Sequence, residues 1–291
     1  MKIVSKHNKG FTIIETLMVL AMLGIVMGAI FSLYITHLKN AYAQDETIEM
    51  QQNLRMAMES ISRTLKNAGT LVPLTTTPLE AFGNSSSSVQ VNTASSDGVY
   101  ARSMTNRTNR ASNFAIYSSK VDSTNGFSAG DKVRLINPLA AAPVFATYTT
   151  ILISDTPTAQ SLHLTGSGVF VTGSDVKPGD IFAKAASTTA PRTHDSVLFF
   201  ISSGTIATGL VCPTNQQCLV RSTNGTPEIL ASYISKLRFS YIDESGTESA
   251  TAPAELNTIR SVRVTIDGIA TTSTGPKYKQ LTSLIMLRNK R

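Results

Sequence analysis

Apolar positions fall into three patterns along the chain. No residue between Glu15 and Lys39 carries a formal charge, and Leu17 to Ile35 holds one clearly polar side chain, Ser32. A helix of that run would be roughly 28 Å long, enough to cross a bilayer core of roughly 30 Å. Next, Leu54, Met58, Ile61, Leu65 and Ala68 recur at steps of 4, 3, 4 and 3, one apolar stripe on a helix. Glu59 and Arg63 stand at i, i+4, and Gly69 followed by Pro73 marks the stop. The two patterns join without a break, so Phe11 to Ala68 reads as one helix of roughly 87 Å. Its outer stripe is expected to pack on a sheet, with a partner-helix surface as the alternative.

The third pattern has period 2. From about Phe114 the chain offers strands at Phe114–Tyr117, Lys132–Ile136, Phe145–Ile153, Ser161–Thr165, Ser196–Ser202, Leu237–Ile242, Ile259–Ile266 and Leu281–Leu287. Leu237, Phe239 and Tyr241 alternate with Arg238 and Ser240; Val262, Val264 and Ile266 alternate with Arg263 and Thr265. Such alternation predicts half-buried antiparallel sheet. Ala129-Gly130-Asp131 and Pro178-Gly179-Asp180 are turn triplets that lead into strands. Between helix and strands, 70–113 is rich in Ser, Thr, Asn and Pro and reads as a loop region with one strand near Gly98–Arg102. The expected organisation is a leader at 1–10, a transmembrane half-helix at 11–38, an amphipathic stem at 39–69, the loop region at 70–113 and a β-rich exported head at 114–291. The fold class is α+β, a long N-terminal helix packed on an antiparallel sheet.

Composition sharpens this picture. Hydrophobic residues make up 42% of 291, which excludes global disorder, while charged residues are only 15% and Trp is absent. Lys2, Lys6 and Lys9 precede the apolar run with no acid among them, so the N-terminus is expected inside and the bulk of the chain outside. The run is too long for an ordinary secretory signal, although Ala41-Tyr42-Ala43 has the shape of a small-residue cleavage site. A plain signal anchor would explain the segment, but not its edge. A carboxylate, Glu15, sits at the rim of the span, where burial in lipid is costly. The dipole of a helix N-terminus would favour it there.

The string Lys9-Gly10-Phe11-Thr12-Ile13-Ile14-Glu15, with a basic leader before it and an uncharged run after it, resembles the class III signal of type IV prepilins and type II secretion pseudopilins. The resemblance implies that a prepilin peptidase cuts between Gly10 and Phe11, that Phe11 becomes an N-methylated terminus, and that Glu15 serves as the assembly charge partner of a Phe11 amine. Two opposite charges in an apolar fibre core offset part of each other's desolvation. Cleavage removes three lysines, so a formal charge of +7 becomes 7 − 3 = +4. Gly24 and Gly28 form G-x-x-x-G, a stripe where another helix could approach. The stem from Leu54 to Gly69 and the closing Leu281–Asn289 are similar to PilW-type minor pilins, the stem also to J-type pseudopilins. That resemblance covers about the first 70 residues and, loosely, the last 60. It implies a type IV pilin-like fold, a place in the inner membrane and then in a pilus, and as partners the peptidase, other major and minor pilins and the assembly platform.

Little else in the chain points to chemistry. Cys212 and Cys218 flank Pro-Thr-Asn-Gln-Gln, and in an exported domain a disulfide is expected, contributing roughly 2.4 kcal/mol by chain entropy. His7, His37, His163 and His194 are scattered, and there is no H-E-x-x-H, G-x-S-x-G or P-loop. Arg192, His194 and Asp195 read as a loop. Asp243, Glu244 and Glu248 crowd one turn around Gly246, a solvated turn or, as the alternative, a calcium site. Arg260, Arg263, Arg288, Lys290 and Arg291 lack the interleaved aromatics of a nucleic-acid platform. No catalytic residues, cofactor or metal are expected. The function implied is a minor pilin, a structural and assembly subunit near the tip of a type IV pilus. A type II secretion pseudopilin, and a tip adhesin or DNA-uptake receptor, stand as alternatives.

Overall fold

A computed structural model of the chain describes residues 12–72, 77–80, 86–104, 113–137, 144–145, 151–153, 157–158, 160–167, 176–186, 194–214, 216–251, 258–272 and 275–288. One helix, α1 (Ile13–Lys66), opens it. The strands are β1 (Leu79–Glu80), β2 (Val89–Thr93), β3 (Tyr100–Arg102), β4 (Asn113–Lys120), β5 (Lys132–Asn137), β6 (Val144–Phe145), β7 (Ile151–Ile153), β8 (Ser161–Ser167), β9 (Ile181–Ala185), β10 (Asp195–Ser202), β11 (Thr205–Ala207), β12 (Leu210–Val211), β13 (Cys218–Thr223), β14 (Thr226–Ala231), β15 (Ile234–Asp243), β16 (Glu248–Ser249), β17 (Ile259–Thr272) and β18 (Gly275–Met286). Among the described residues they form four sheets, in the orders β1-β2-β10-β13-β14, β11-β12, β16-β15-β17-β18 and β3-β9-β5-β7-β8-β4, the last with β6 beside β5. The pairings within them are antiparallel wherever a register is defined. The architecture is α+β and pilin-like: one long apolar N-terminal helix and antiparallel sheets.

The chain divides into two compact units. The first holds the residues up to Glu49 and the segment Ala270–Lys277. Every described residue of its helix from Thr12 to Tyr42 is exposed, including Ile13, Leu17, Ile25 and Phe31. Ala43 is the first described residue to be buried, and Ala270 and Thr272 are buried as well. Polar side chains on this helix turn back on its own backbone: the Thr36 hydroxyl donates to the Ser32 carbonyl at 2.9 Å and Thr47 to Ala43 at 2.7 Å. Such bonds let hydroxyls sit on an apolar helix without an unpaired donor.

The second unit holds Met50–Ile269 and Tyr278–Arg291. Here the stem stripe Leu54, Met58, Ile61, Leu65 and Ala68 is buried, as are Met50 and Ala57. The stem meets β17 closely at Gly268, where a Cβ would lie 2.9 Å from Leu54 Cδ1 and 3.1 Å from Met50 Cγ. Asn53 Nδ2 donates to Ser232 Oγ at 3.2 Å. Gly69, with φ 72°, ends the helix as expected, and its N–H donates to the Asn92 carbonyl at 2.8 Å. Leu237, Phe239 and Tyr241 of β15 and Val262, Val264 and Ile266 of β17 all point into the core. A separate core of the β3–β9 sheet gathers Val133, Leu135, Leu162, Leu164 and Phe182.

One expectation needs correction. The stretch 70–113 is not simply a loop with one strand: besides the expected strand near Gly98–Arg102, which is β3, it supplies β1 and β2, and β2 lies inside a sheet between β1 and β10. Its strand signal is hidden because Val89 and Val91 stand among polar residues that are themselves buried, namely Ser88, Asn92, Thr93 and Ser95. Those polar groups are bonded: Asn92 Nδ2 donates to the Thr77 carbonyl and to Glu80 Oε1, each at 3.0 Å. Of the strand expected at Phe145–Ile153, β6 and β7 occupy the two ends, and 146–150 lie outside the described residues.

Candidate functional site

The start of α1 is built by two side chains that cap each other. The Thr12 N–H and the Thr12 hydroxyl both donate to Glu15 Oε2 at 2.9 Å, and the Glu15 N–H donates to Thr12 Oγ1 at 3.3 Å. This is a capping box: the threonine satisfies a free amide of the first turn while the glutamate reaches back to the N-cap amide. The carboxylate is thereby turned toward the chain's N-terminal side, next to the peptide that joins Thr12 to Phe11. Gly10 and Phe11 themselves lie outside the described residues. Thr12 is the member that the sequence analysis missed. Its signal in the sequence is T-x-x-E, the spacing of a capping box.

From this cap the helix runs exposed and apolar to Tyr42. It is the one described helix long and apolar enough to cross a membrane. Gly24 and Gly28 lie on it with open space around them, since a Cβ on either would meet no heavy atom within 4 Å. A family model described as the prokaryotic N-terminal methylation motif matches residues 5–31. The chain carries a type IV prepilin-like signal. That signal and the apolar helix support a type IV pilin-like or pseudopilin protein and fit single-pass anchoring in the inner membrane. The signal also implies processing by a prepilin peptidase. No curated protein and no solved structure matches the chain.

The other candidate residues resolve into structural roles. Cys212 and Cys218 are joined in a disulfide, their Cα atoms 5.9 Å apart, across the loop from β12 to β13. In the turn at Asp243, Oδ1 accepts from the Ser245 N–H, the Ser245 hydroxyl and the Thr247 N–H. Those bonds, led by the Ser245 hydroxyl, hold the Asp243 carboxyl below its ordinary range. Glu244 pairs with Arg260 at 3.5 Å and Glu248 with Arg263 at 3.1 Å, so each acid of the turn is engaged by the protein itself. Among the described residues no three His, Cys, Asp or Glu side chains gather as metal ligands.

Asp195 departs most from expectation. Rather than lying in a loop, it opens β10 fully buried, and Arg192 lies outside the described residues. Its Oδ1 accepts from Arg134 Nη2 of β5 at 2.6 Å and from Asn224 Nδ2 at 3.0 Å. Its Oδ2 accepts from the Ser96 and Ala186 amides at 3.0 and 3.1 Å. Arg134 Nη1 donates to the Ala94 carbonyl at 2.6 Å. Burial alone would raise the Asp195 pKa, but the guanidinium and these donors outweigh it and hold the carboxyl below the ordinary range. The network ties the β10 sheet to the β5 sheet.

Proposed function

We propose that this chain is a minor pilin, a structural subunit that acts at the tip or in the initiation complex of a type IV pilus and catalyses no reaction. The observation that carries the reading is the exposed apolar helix whose first turn is closed by Glu15 directly after the cleavage position. Cutting between Gly10 and Phe11 would place a free amine one residue before the capping box. Glu15 would then compensate that amine, its own or a neighbour's, when the helices bundle. The partners on this reading are other major and minor pilins through the helix, the peptidase, and the inner-membrane assembly platform. The N-terminal sequence and mass of the mature protein test it. A chain beginning at methylated Phe11 supports the reading, and an intact leader refutes it. A deletion strain separates the pilus from the secretion alternative: loss of piliation with normal secretion favours the pilin, and the reverse favours a pseudopilin.

A further inference from the structure

Within the second unit, β18 runs from Tyr278 to Met286 as the last strand in the order β16-β15-β17-β18. Just past it the Leu287 N–H donates to the Arg260 carbonyl at 3.0 Å, so these two residues form a hydrogen-bonded pair of the β17–β18 ladder. Side-chain contacts keep the same register: Thr282 Oγ1 lies 3.3 Å from Thr265 Oγ1, and Gln280 Nε2 donates to Asp267 Oδ1 at 2.7 Å. In an antiparallel pair every second residue bonds to the neighbouring strand, and the residues between turn their N–H and C=O the other way. Leu281, Ser283 and Ile285 therefore bond to β17, while Thr282, Leu284 and Met286 present theirs along an open edge. The side chains of these three share the outer face. Leu284 is 53% exposed and Met286 73%, whereas Ile285 between them is 1% exposed.

Open edges are normally blunted by shortness, proline, bulges or charge. The opposite edge of this sheet, β16, has two residues, and so has β1 of the five-stranded sheet. The far edge of that second sheet, β14, carries Pro227 and a register shift against β13. Gln280 to Leu287 has no such protection: it contains no charge and no proline, and its register against β17 does not shift. Lys279 and Arg288 flank it, and no acid stands between Tyr278 and Arg288. Pairing with a second copy, in either strand direction, would gather the flanking cations of both copies along one ladder, and like charges across strands are destabilising. We propose that this edge receives an extended segment of a different protein, added as a further strand, whose acids meet Lys279 and Arg288 and whose apolar residues cover Leu284 and Met286. Main-chain bonds to Thr282, Leu284 and Met286 supply affinity, and the flanking charges select the partner and its register.

The test uses the full-length protein in detergent micelles with a labelled peptide, Glu-Glu-Val-Thr-Ile-Thr-Val-Thr-Glu-Glu. Its twin with lysines in place of the four glutamates is the control. Fluorescence anisotropy at low salt should show the acidic peptide bound at least about tenfold more tightly than the twin. Amide hydrogen exchange should slow at Thr282, Leu284 and Met286 when the acidic peptide is added. Leu284→Pro removes an edge-facing N–H and no bond to β17, so the fold should stand while binding is lost. Lys279→Glu with Arg288→Glu should reverse the preference between the two peptides, and this variant decides the matter if Leu284→Pro does not fold. Equal binding of the two peptides, a preference that survives the charge reversal, folded Leu284→Pro that binds like the parent, or no binding at about 1 mM peptide would each overturn the proposal. Exchange at these amides that slows with protein concentration alone would mean that a second copy occupies the edge, which overturns it as well.

Discussion

Thr12 and Glu15 cap each other across the first turn of α1, so the glutamate has two separable properties: it is a hydrogen-bond acceptor and it is a charge. Glu15→Gln keeps an acceptor for the Thr12 amide and removes the charge. Thr12→Val keeps the charge and removes the hydroxyl, at about 1 kcal/mol for a lost cap. If charge compensation drives assembly, Glu15→Gln should insert in the membrane yet enter fibres several-fold less than the parent. Thr12→Val should then show the smaller loss. Comparing subunit content in sheared fibres with content in membranes checks this, and equal incorporation of Glu15→Gln would show the charge to be dispensable.

Processing depends on the residue before the cut. Gly10→Leu places a branched side chain where the prepilin-like signal has a glycine. The variant should accumulate as uncut precursor, heavier by the ten leader residues and still anchored in the membrane. Mass spectrometry of the membrane fraction reads the outcome directly, and normal cleavage would remove the peptidase from the account.

The buried pair of Arg134 and Asp195 makes a stability prediction with a sign. Removing one partner leaves the other charge in the interior, so Arg134→Ala or Asp195→Ala should destabilise the protein by roughly 3–5 kcal/mol. Asp195 titrates below its ordinary range when folded. The stability it contributes is therefore full above the unfolded carboxylate pKa of about 4 and is lost as pH falls through the lower folded value. Denaturant unfolding of detergent-solubilised protein at pH 7 and pH 3 should show the gap between parent and Arg134→Ala narrowing in acid.

How much of this was legible in the sequence depended on whether the signal was local. The unbroken apolar run and the 4-3-4-3 stripe gave α1 nearly to its ends, because helix period and charge spacing are properties of neighbours. Strands β15 and β17 were legible for the same reason: Leu237, Phe239 and Tyr241, and Val262, Val264 and Ile266, alternate without interruption. Strand β2 was not, since Asn92 and Thr93 are buried polar residues whose partners, among them Thr77 and Glu80, come from other segments. The meeting of Arg134 and Asp195 was invisible because they are 61 positions apart and neither stands in a distinctive motif.

Gly268 shows how closely the stem approaches the sheet. A Cβ there would stand 2.9 Å from Leu54 Cδ1, 3.1 Å from Met50 Cγ and 3.2 Å from Leu54 Cγ. Gly268→Val should therefore push the stem from β17 and destabilise by roughly 1–3 kcal/mol, as overpacking does. Leu54→Ala alone opens a cavity and destabilises as well. Combining the two should cost less than their sum, because the valine occupies room that the leucine vacated. Strict additivity in thermal unfolding would show that the two residues do not meet.

Tyr241 on β15 carries a polar atom that the fold does not use. The residue is 2% exposed, sits opposite Val262 of β17, and its hydroxyl has no hydrogen-bond partner among the described residues. A buried group left unsatisfied costs roughly 1–3 kcal/mol. Tyr241→Phe keeps the ring and removes that group, so stability at pH 7 should stay equal or rise. Alkaline pH gives an independent reading. Burial pushes the phenol up to about 12, whereas the unfolded chain titrates near 10. A raised folded pKa contributes stability below pH 10 that is lost as pH climbs toward 12. The parent should therefore weaken over that window more than Tyr241→Phe, and the advantage of the variant should widen from pH 7 to pH 11. A destabilised variant at pH 7 would instead reveal a hydrogen bond to Tyr241 that the folded protein depends on.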